Sequence, residues 1–398
     1  MWIQREISKK IATVAKQFPA LVLTGARQVG KTSLLKRLFP HHNFVTLDLP
    51  SLSELAENEP ERFLAKYPPP VVIDEVQYAP NLFRYLKLHI DQHRHLNGQI
   101  IMTGSQKFTL MKGVSESLAG RCAVLELESL SSFEITSALK LDAPNLFSQV
   151  FHGGFPQIYA GDEVDREIYM QSYVATYLER DVRSLLNIGQ LRDFERFIRA
   201  CAYRSGQVLN KADLARDIGI SAPTANEWLS VLQASNQIVL LEPWFNNKTK
   251  SLIKSPKIYF QDTGLQCFLL NLNSETEMLE SPFWGNIFES FVFSEMRKRF
   301  QANSGKWDIW FWRDLKGLEV DYLIPKGGRY QLIEVKTKEN PISKDFDNLE
   351  RVSQLLGPEL VEKILVCRTA NSHLNRQHNV QVVHFDELWQ FLKSGGQP

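Results

Sequence analysis

The chain has 398 residues, of which 43% are hydrophobic and 23% are charged. These proportions exclude disordered and fibrous classes, and the length favours two or three domains. The formal net charge is +1, so any nucleic-acid surface has to be a local patch. The first residues carry charge without an apolar run, and the sequence contains no stretch of about 18 apolar residues. We therefore expect a cytoplasmic protein without a membrane partner.

The first motif lies between a short apolar strand, LVLT, and a helix-like segment, SLLKRLF. The spacing Gly25-x-x-x-x-Gly30-Lys31-Thr32 matches the P-loop, in which glycines let backbone N–H groups surround phosphate oxygens at a helix N-terminus. We expect Lys31 to reach the β- and γ-phosphates of ATP and Thr32 to bind Mg²⁺. The predicted nucleotide-binding residues are Gly25, Ala26, Arg27, Gln28, Val29, Gly30, Lys31, Thr32 and Ser33.

Two further apolar strands end in polar residues that suit the same site. PVVIDE ends in the Walker B pattern, in which Asp74 supports the magnesium ion and Glu75 orients the attacking water. QIIMTGS ends in Thr103 and Ser105, and we predict that Ser105 senses the γ-phosphate; a polar turn is the alternative. Because Lys31, Glu75 and Ser105 would act on the phosphates, we assign them catalytic roles. The sequence thus predicts an ATPase that binds ATP and ADP.

The middle of the chain is predicted to be mainly helical. Residues 131–200 suit an ATPase lid, and residues 201–262 follow the outline of a winged helix-turn-helix, with Gly219 in the turn and Ser221 capping the second helix. A basic stretch with interleaved aromatic side chains suits a phosphate backbone, whereas the second helix lacks Arg and Lys for contacts to bases. DNA contact and protein–protein packing therefore both stay open. The lysines of the basic stretch are Lys248, Lys250, Lys254 and Lys257.

The last segment contains the acid pattern of PD-(D/E)XK nucleases, and we expect these acids to end β-strands. Asp321 is followed at hairpin distance by Glu334 and Lys336, a pattern in which carboxylates hold a metal and the lysine supports the attacking hydroxide. In a strand, Glu334 and Lys336 share one face because side chains repeat with period two. Glu289, on a helix candidate, adds a third acid. We predict a second divalent ion, Mg²⁺ or Mn²⁺, at Glu289, Asp321 and Glu334; a salt-bridge ladder is the alternative.

The motifs GARQVGKTS, VVIDEVQ, IIMTGSQ and SLAGR with LELESLSSFE resemble those of AAA+-related, STAND-like bacterial and archaeal ATPases that carry a C-terminal domain of unknown function. The resemblance covers nearly the whole chain. It implies an α/β fold with a P-loop AAA+-type ATPase core at 1–130, a helical lid at 131–200, a winged helix-turn-helix at 201–262 and a PD-(D/E)XK nuclease-like domain at 263–398. It also implies that Arg121 is an arginine finger or sensor. A helix-capping surface arginine is the alternative, and the oligomeric state stays open.

Two hypotheses about function follow from these motifs. In the first, the protein acts on DNA, and ATP turnover gates metal-dependent cleavage at Asp321, Glu334 and Lys336. In the second, the protein is an ATP-driven regulatory switch that binds a protein or nucleic-acid partner without cutting it. A small-molecule kinase is disfavoured by Glu75 and by the large appended domains.

Overall fold

The computed structural model describes residues 2–105, 110, 113–114, 116–140, 143–161, 164–177, 191–244, 254–303 and 308–394. The N-terminal region is built on a parallel sheet with the strand order β2-β3-β4-β1-β5. Its strands are β1 (Ala20–Thr24), β2 (Asn43–Thr46), β3 (Val71–Asp74), β4 (Ile100–Gly104) and β5 (Cys122–Glu126). The helices described around it are α1 (Ser8–Ala15), α2 (Lys31–Leu38), α3 (Pro50–Asn58), α4 (Pro60–Lys66) and α5 (Leu82–Gln92).

The central strands of this sheet are apolar on both faces because helices cover both faces. Leu21 and Leu23 of β1 belong to the core that includes Leu34 of α2, whereas Val22 belongs to the core that includes Leu82 of α5. Two-sided burial explains why β1, β3 and β4 are nearly continuous apolar runs. Since the strands are parallel, their carboxyl ends meet at one edge, which is where ligands bind in open α/β sheets.

The middle region contains helices followed by a small antiparallel sheet with the order β6-β8-β7, here called the middle sheet. Its strands are β6 (Gln207–Val208), β7 (Ile238–Leu241) and β8 (Lys257–Phe260). The helices described in this region are α6 (Ser132–Leu139), α7 (Leu146–His152), α8 (Arg166–Tyr177), α9 (Leu191–Tyr203), α10 (Lys211–Ile218), α11 (Ala222–Ala234), α12 (Thr263–Leu269) and α13 (Glu275–Glu280).

Two predicted details of the middle region are confirmed. Gly219 ends α10 in the left-handed conformation, with a φ of 83°, where glycine lacks the Cβ penalty. The Ser221 hydroxyl accepts a hydrogen bond from Thr224 N and caps α11. Most of the predicted basic wing, with Lys248 and Lys250, lies outside the described residues. A winged helix-turn-helix therefore stays a prediction, although the described elements occur in its order.

The C-terminal region is a mixed sheet with the order β13-β14-β12-β11-β10-β9 between helices. Residues of helix Trp284–Asn303, such as Val292, pack with Ile333 in one core, whereas Leu349 packs with Leu332 in another. The helices are α14 (Trp284–Asn303), α15 (Asp347–Leu356) and α16 (Leu388–Ser394). The strands are β9 (Trp310–Arg313), β10 (Glu319–Lys326), β11 (Arg329–Val335), β12 (Val361–Cys367), β13 (His373–Asn375) and β14 (Val380–His384).

The hairpin of β10 and β11 places the predicted acids at one edge of this sheet. Tyr322 pairs with Ile333 in antiparallel register, so Asp321 and Glu334 occupy the next position along the ladder. The expectation that both strands end in acids is wrong for Asp321, which lies near the start of β10. Because the strands run in opposite directions, the start of β10 and the end of β11 nevertheless meet.

None of the helices in the described part of the chain combines the length and apolar character needed to cross a membrane.

Candidate nucleotide site and a second carboxylate cluster

The P-loop leaves β1 through backbone conformations that favour glycine. Gly30 has a φ of 93°, in the left-handed region where a Cβ is penalised. A Cβ on Gly25 would lie 2.1 Å from the carbonyl oxygen of Leu127, so this position also excludes larger residues sterically. Gln28 adopts a φ of 61° without being glycine, a strained geometry that is common at ligand sites. The loop then enters α2, whose first residue is Lys31.

The Lys31 ammonium lies inside the loop. Its Nζ donates hydrogen bonds to the carbonyl oxygens of Gly25 (2.9 Å) and Ala26 (2.8 Å), and the residue is buried. The free N–H groups at the start of a helix and the positive end of its dipole favour an anion at this point. Lys31 and the first turn of α2 therefore provide the charge and the donors that a triphosphate requires.

Thr32 and Asp74 meet as predicted. The Thr32 hydroxyl lies 3.0 Å and 3.1 Å from the two carboxylate oxygens of Asp74, and the Thr103 hydroxyl donates to Asp74 at 2.5 Å. Burial raises the pKa of Asp74, while the hydrogen bonds from Thr103 and Thr32 oppose this rise. A hydroxyl and a carboxylate are hard oxygen ligands of the type that Mg²⁺ prefers, and phosphates and waters normally complete its shell. These two residues therefore fit a magnesium ion bound with nucleotide.

Glu75 is held next to this pair by neutral donors. Its Oε2 accepts hydrogen bonds from the Ser105 hydroxyl at 3.2 Å, from Ser105 N at 3.3 Å and from the Gln77 amide. Burial opposes ionisation, but Lys31 and the hydrogen bond from Gln77 outweigh it and lower the pKa of Glu75. Glu75 is therefore an anion at neutral pH, which is the state needed to orient a water molecule.

Gln77 was missed at the sequence level. It lies in a short 3₁₀ turn after Glu75 and is buried, and its Oε1 has no hydrogen-bond partner within the described parts of the chain. The turn brings the side chain back toward Glu75, so the string DEVQ contains the relevant signal. Gln77 thus adds a second polar side chain, besides Ser105, that positions the Glu75 carboxylate.

Arg5 is a second missed residue, and it fixes the outer side of the P-loop. Its guanidinium donates to the carbonyl oxygen of Val29 at 2.8 Å and to that of Glu128 at 2.7 Å. The same group forms a buried ion pair with Glu134 at 3.1 Å. No local motif could reveal this arrangement because Glu134 is 129 residues away. One buried cation thus links the P-loop to α6.

The structure does not bring Arg121 to its own P-loop. Ala20 at the start of β1 pairs with Cys122, so Arg121 lies at the amino edge of the sheet, about 13 Å along the strand from the carboxyl edge. Its side chain pairs with Asp91 of α5 at 2.7 Å and 3.1 Å. Arg121 is therefore not positioned to contact a nucleotide bound to its own P-loop. Action on a neighbouring chain stays a prediction.

A cleft of about 1230 Å³ opens beside the P-loop. P-loop residues line it, including Arg27, Lys31 and Thr32. Residues from the N-terminal segment, from just before α6 and from the region after α7 also line it: Trp2, Ile3, Leu130, Pro156, Gln157 and Tyr159. The cleft thus combines charged groups that suit phosphates with apolar side chains of the kind that hold a base.

The C-terminal acids lie together, but a lysine already bridges them. Lys257 of β8 places its Nζ 2.9 Å from Glu289 and 3.5 Å from Asp321, while the Lys336 ammonium lies 2.7 Å from Glu334. Burial and the nearby Asp321 raise the pKa of Glu289 to about 7 and that of Glu334 to about 8. The predicted wing lysine Lys257 is therefore an interior residue.

The metal set predicted for this cluster is not assembled. Across the described ranges, no group of three or more His, Cys, Asp or Glu side chains is arranged to hold a metal ion. The ligands predicted there, Glu289, Asp321 and Glu334, instead have lysine partners. In this arrangement the carboxylates are paired with lysines and are not free to hold a metal, and Lys336 is an ion-pair partner of Glu334.

Helix α14 connects this cluster with the nucleotide side of the molecule. Near one end it carries Glu289, and ten residues later Arg299 forms an ion pair with Glu6 at 3.0 Å. Lys298 donates to the carbonyl oxygen of Leu130 at 2.9 Å. Glu6 directly follows Arg5, so the contacts of the P-loop and those of α14 meet in one short segment.

The parallel sheet and the Lys31–Asp74–Glu75 geometry resemble those of P-loop ATPases. The family model described as "AAA domain" matches residues 17–136. Two models, each described as a domain of unknown function, match residues 144–276 (DUF8612) and 284–388 (DUF4143). The N-terminal region is thus similar to an AAA domain, and the appended regions match families without an assigned function.

Similar proteins are found in mycobacteria. Uncharacterized proteins of Mycobacterium bovis and Mycobacterium tuberculosis are each 29% identical over 342 residues, which is 85% of this chain and 75% of theirs. Among solved structures, a Walker-type ATPase of Pyrococcus abyssi has a TM-score of 0.45 at 18% identity, covering 67% of this chain and 96% of that one. The ORC2 protein of Aeropyrum pernix has a TM-score of 0.37 at 14% identity, covering 71% and 96%.

Proposed function

We propose that the chain hydrolyses ATP in a magnesium-dependent reaction at the P-loop. The observation that carries this proposal is the convergence of Lys31, Thr32, Asp74 and Glu75 at the carboxyl edge of the parallel sheet. Phosphoryl transfer requires mainly positioning and charge stabilisation. Each of these residues supplies one of the two.

Different residues contact the phosphates, the metal ion and the attacking water. Lys31 and the helix N-terminus stabilise the β- and γ-phosphates. Thr32 and Asp74 would hold Mg²⁺, which supplies Lewis-acid neutralisation of phosphate charge when bound. The Glu75 carboxylate orients the attacking water, and Ser105 fixes that carboxylate through its hydroxyl and its N–H group. Arg27 lines the same cleft and adds positive charge near Glu75.

The test is phosphate release from ATP with Mg²⁺, compared between the wild type and Lys31→Ala. We expect Lys31→Ala to reduce hydrolysis roughly 10²-fold or more, because a preorganised cation near the transferred phosphoryl group is lost. Lys36→Ala is the matched control, since Lys36 lies on the same helix and is exposed. Equal rates in Lys31→Ala and the wild type would refute hydrolysis at this loop.

For the C-terminal half we propose a readout of nucleotide state without DNA cleavage. The specific observation is the lysine that bridges Glu289 and Asp321, because a nuclease of this type needs those carboxylates for a metal. This favours the regulatory switch over the ATP-gated nuclease. Incubation of the full chain with DNA, ATP and Mg²⁺ or Mn²⁺ should leave the DNA uncut, and metal-dependent nicking that Lys336→Ala abolishes would restore the nuclease hypothesis.

The partner of the switch is proposed to be DNA or a protein. Helix α11 presents exposed Asn226 and Glu227 without a basic residue, which disfavours base readout. Exposed Lys254 lies just before β8 and suits a phosphate contact. Salt-dependent DNA binding by the full chain would support DNA as the partner, whereas absence of binding at low salt would direct the search to proteins.

A further inference from the structure

Lys257 is buried at the junction of the middle sheet and the C-terminal sheet. It begins β8 and is only 1% exposed. Its Nζ lies 2.9 Å from a carboxylate oxygen of Glu289, 2.6 Å from one of Glu319 and 3.5 Å from one of Asp321. These acids come from α14 and β10, whereas the cation comes from another region of the chain. A single ammonium therefore neutralises charge contributed by two elements of the C-terminal region.

Further donors contact the same three carboxylates, and the donor to Glu289 reaches the oxygen that Lys257 also contacts. The Tyr259 hydroxyl donates to Glu289 at 2.5 Å, and Val335 N donates to Asp321 at 2.8 Å. Arg313 pairs with Glu319 at 2.6 Å. Tyr259 also lies on β8, so the same strand contributes both the ammonium and a hydroxyl donor to Glu289.

Electrostatics favour the charged form of this lysine despite its burial. Burial alone would lower the pKa of Lys257, but the charges of Glu289, Asp321 and Glu319 raise it well above the usual range. A buried ion is tolerated only where partners compensate for the lost hydration. Conversely, removal of the ammonium would leave a group of buried carboxylates without their cation.

The geometry has no room for both this lysine and a metal. Mg²⁺ requires ligand oxygens at about 2.0–2.1 Å, in near-octahedral positions. The carboxylates of Glu289, Glu319 and Asp321 converge on Nζ at ammonium distances. A cation at their point of convergence would have to displace the Lys257 side chain.

We propose that Lys257 is the resident cation of this carboxylate cluster, so that docking of the middle sheet and binding of a divalent metal at the cluster exclude each other. The acids then serve as a joint between the two regions as long as β8 is docked. A second contact supports the joint, because Trp244 N donates to the carbonyl oxygen of Phe311 at 2.7 Å beside an isolated bridge between Pro243 and Phe311.

The test is Mn²⁺ binding to the nucleotide-free full chain, measured by electron paramagnetic resonance. We expect Lys257→Met to bind one Mn²⁺ more tightly than the wild type, by at least about tenfold, because methionine removes the charge and keeps much of the apolar volume. Addition of Asp321→Asn to Lys257→Met should abolish that gain. Lys254→Met is the matched control, since Lys254 is exposed and close in sequence, and it should behave as the wild type.

Thermal unfolding gives an independent measurement. Lys257→Met should unfold at a lower temperature than the wild type without metal, and Mn²⁺ should raise its Tm but leave that of the wild type unchanged. Lys257→Met combined with Glu289→Gln removes one uncompensated charge and should recover part of the lost Tm. This double variant also tests the idea if Lys257→Met alone does not fold, because an equally unfolded double variant would assign Lys257 a packing role and overturn the proposal.

Two further outcomes would also overturn it. Wild-type protein that binds Mn²⁺ as tightly as Lys257→Met, and loses the ion on Asp321→Asn, would show that a metal displaces the lysine without difficulty. Alternatively, a folded Lys257→Met protein that binds no additional Mn²⁺ would show that the carboxylates do not form a cation site.

Discussion

The molecule contains two groups of carboxylates at sheet edges, and their partners differ in charge. At the P-loop, hydroxyls of Thr32 and Thr103 contact Asp74, and neutral groups contact Glu75. In the C-terminal region, Lys257 contacts Glu289 and other acids directly. Neutral donors orient a carboxylate and leave its charge for a metal or a water molecule. A directly bound ammonium group compensates that charge. The acids around Lys257 therefore hold two regions together and are not available to a ligand.

The largest expected effect concerns the buried ion pair of Arg5 beside the P-loop. Arg5→Met should lower the free energy of unfolding by about 3–5 kcal/mol, because it leaves Glu134 buried without its cation and removes the donor to Val29. Urea denaturation measures this change. Adding Glu134→Gln should recover part of the loss. If Arg5→Met is as stable as the wild type, the P-loop does not depend on this buried ion pair.

The next effect tests whether the charge of Glu75 is available for chemistry. Glu75→Gln should reduce ATP hydrolysis roughly 10²-fold, since an amide cannot orient water as a carboxylate does, while ATP binding by calorimetry stays close to that of the wild type. Glu57→Gln is a control on an acid that pairs with the backbone N–H of Asn81 away from the cleft. Undiminished hydrolysis by Glu75→Gln would remove this residue from the mechanism.

The C-terminal cluster should show its raised pKa values as a pH dependence of stability. Folding holds protons on Glu289 and Glu334 up to about pH 7 and about pH 8, whereas the unfolded carboxyls lose them near their ordinary pKa values. The folded state therefore binds more protons between about pH 5 and pH 8, and stability falls as pH rises through this window. We expect a decrease of roughly 1–3 kcal/mol.

Urea denaturation from pH 5 to pH 8 measures this decrease. Glu334→Gln should reduce the slope of the profile, because the amide does not titrate while Glu289 still does. A profile of unchanged slope in Glu334→Gln would show that Glu334 does not contribute to the titration.

The smallest effect concerns Arg121. Its partly buried pair with Asp91 lies at the opposite edge from the P-loop, so Arg121→Ala should leave hydrolysis of dilute protein within about twofold of the wild type. Hydrolysis measured against protein concentration separates the two possible roles. If the rate of hydrolysis per chain rises with protein concentration in the wild type but not in Arg121→Ala, Arg121 acts on a neighbouring chain.

Local motifs predicted the P-loop site because its residues are fixed by short spacing and by strand ends. Gly25 to Thr32 form one continuous segment of loop and helix start, and Asp74 ends β3 while Ser105 follows the neighbouring β4, so their positions must meet at one edge. The same logic placed Asp321 and Glu334 together across a hairpin. Spacing thus predicts which residues share an edge.

The remaining errors come from contacts that spacing does not encode. Lys257 looked like a wing lysine, but every residue of β8 is buried, so its side chain points toward acids that lie 32 and 64 residues later. Arg5 has its partner Glu134 in a distant segment. The motif that contains Arg121 does not indicate at which edge of the sheet β5 begins. Such pairings depend on the packing of whole regions against each other.

Helix α14 is held at two points by ion pairs to other regions of the chain. Glu289 and Arg299 lie about 15 Å apart along this helix. Glu289 contacts Lys257 of β8, and Arg299 pairs with Glu6. A displacement of the segment that carries Arg5 and Glu6 therefore has to move α14 as well, or it breaks the ion pair between Glu6 and Arg299. A shift of α14 relative to β8 would likewise break the contact between Glu289 and Lys257.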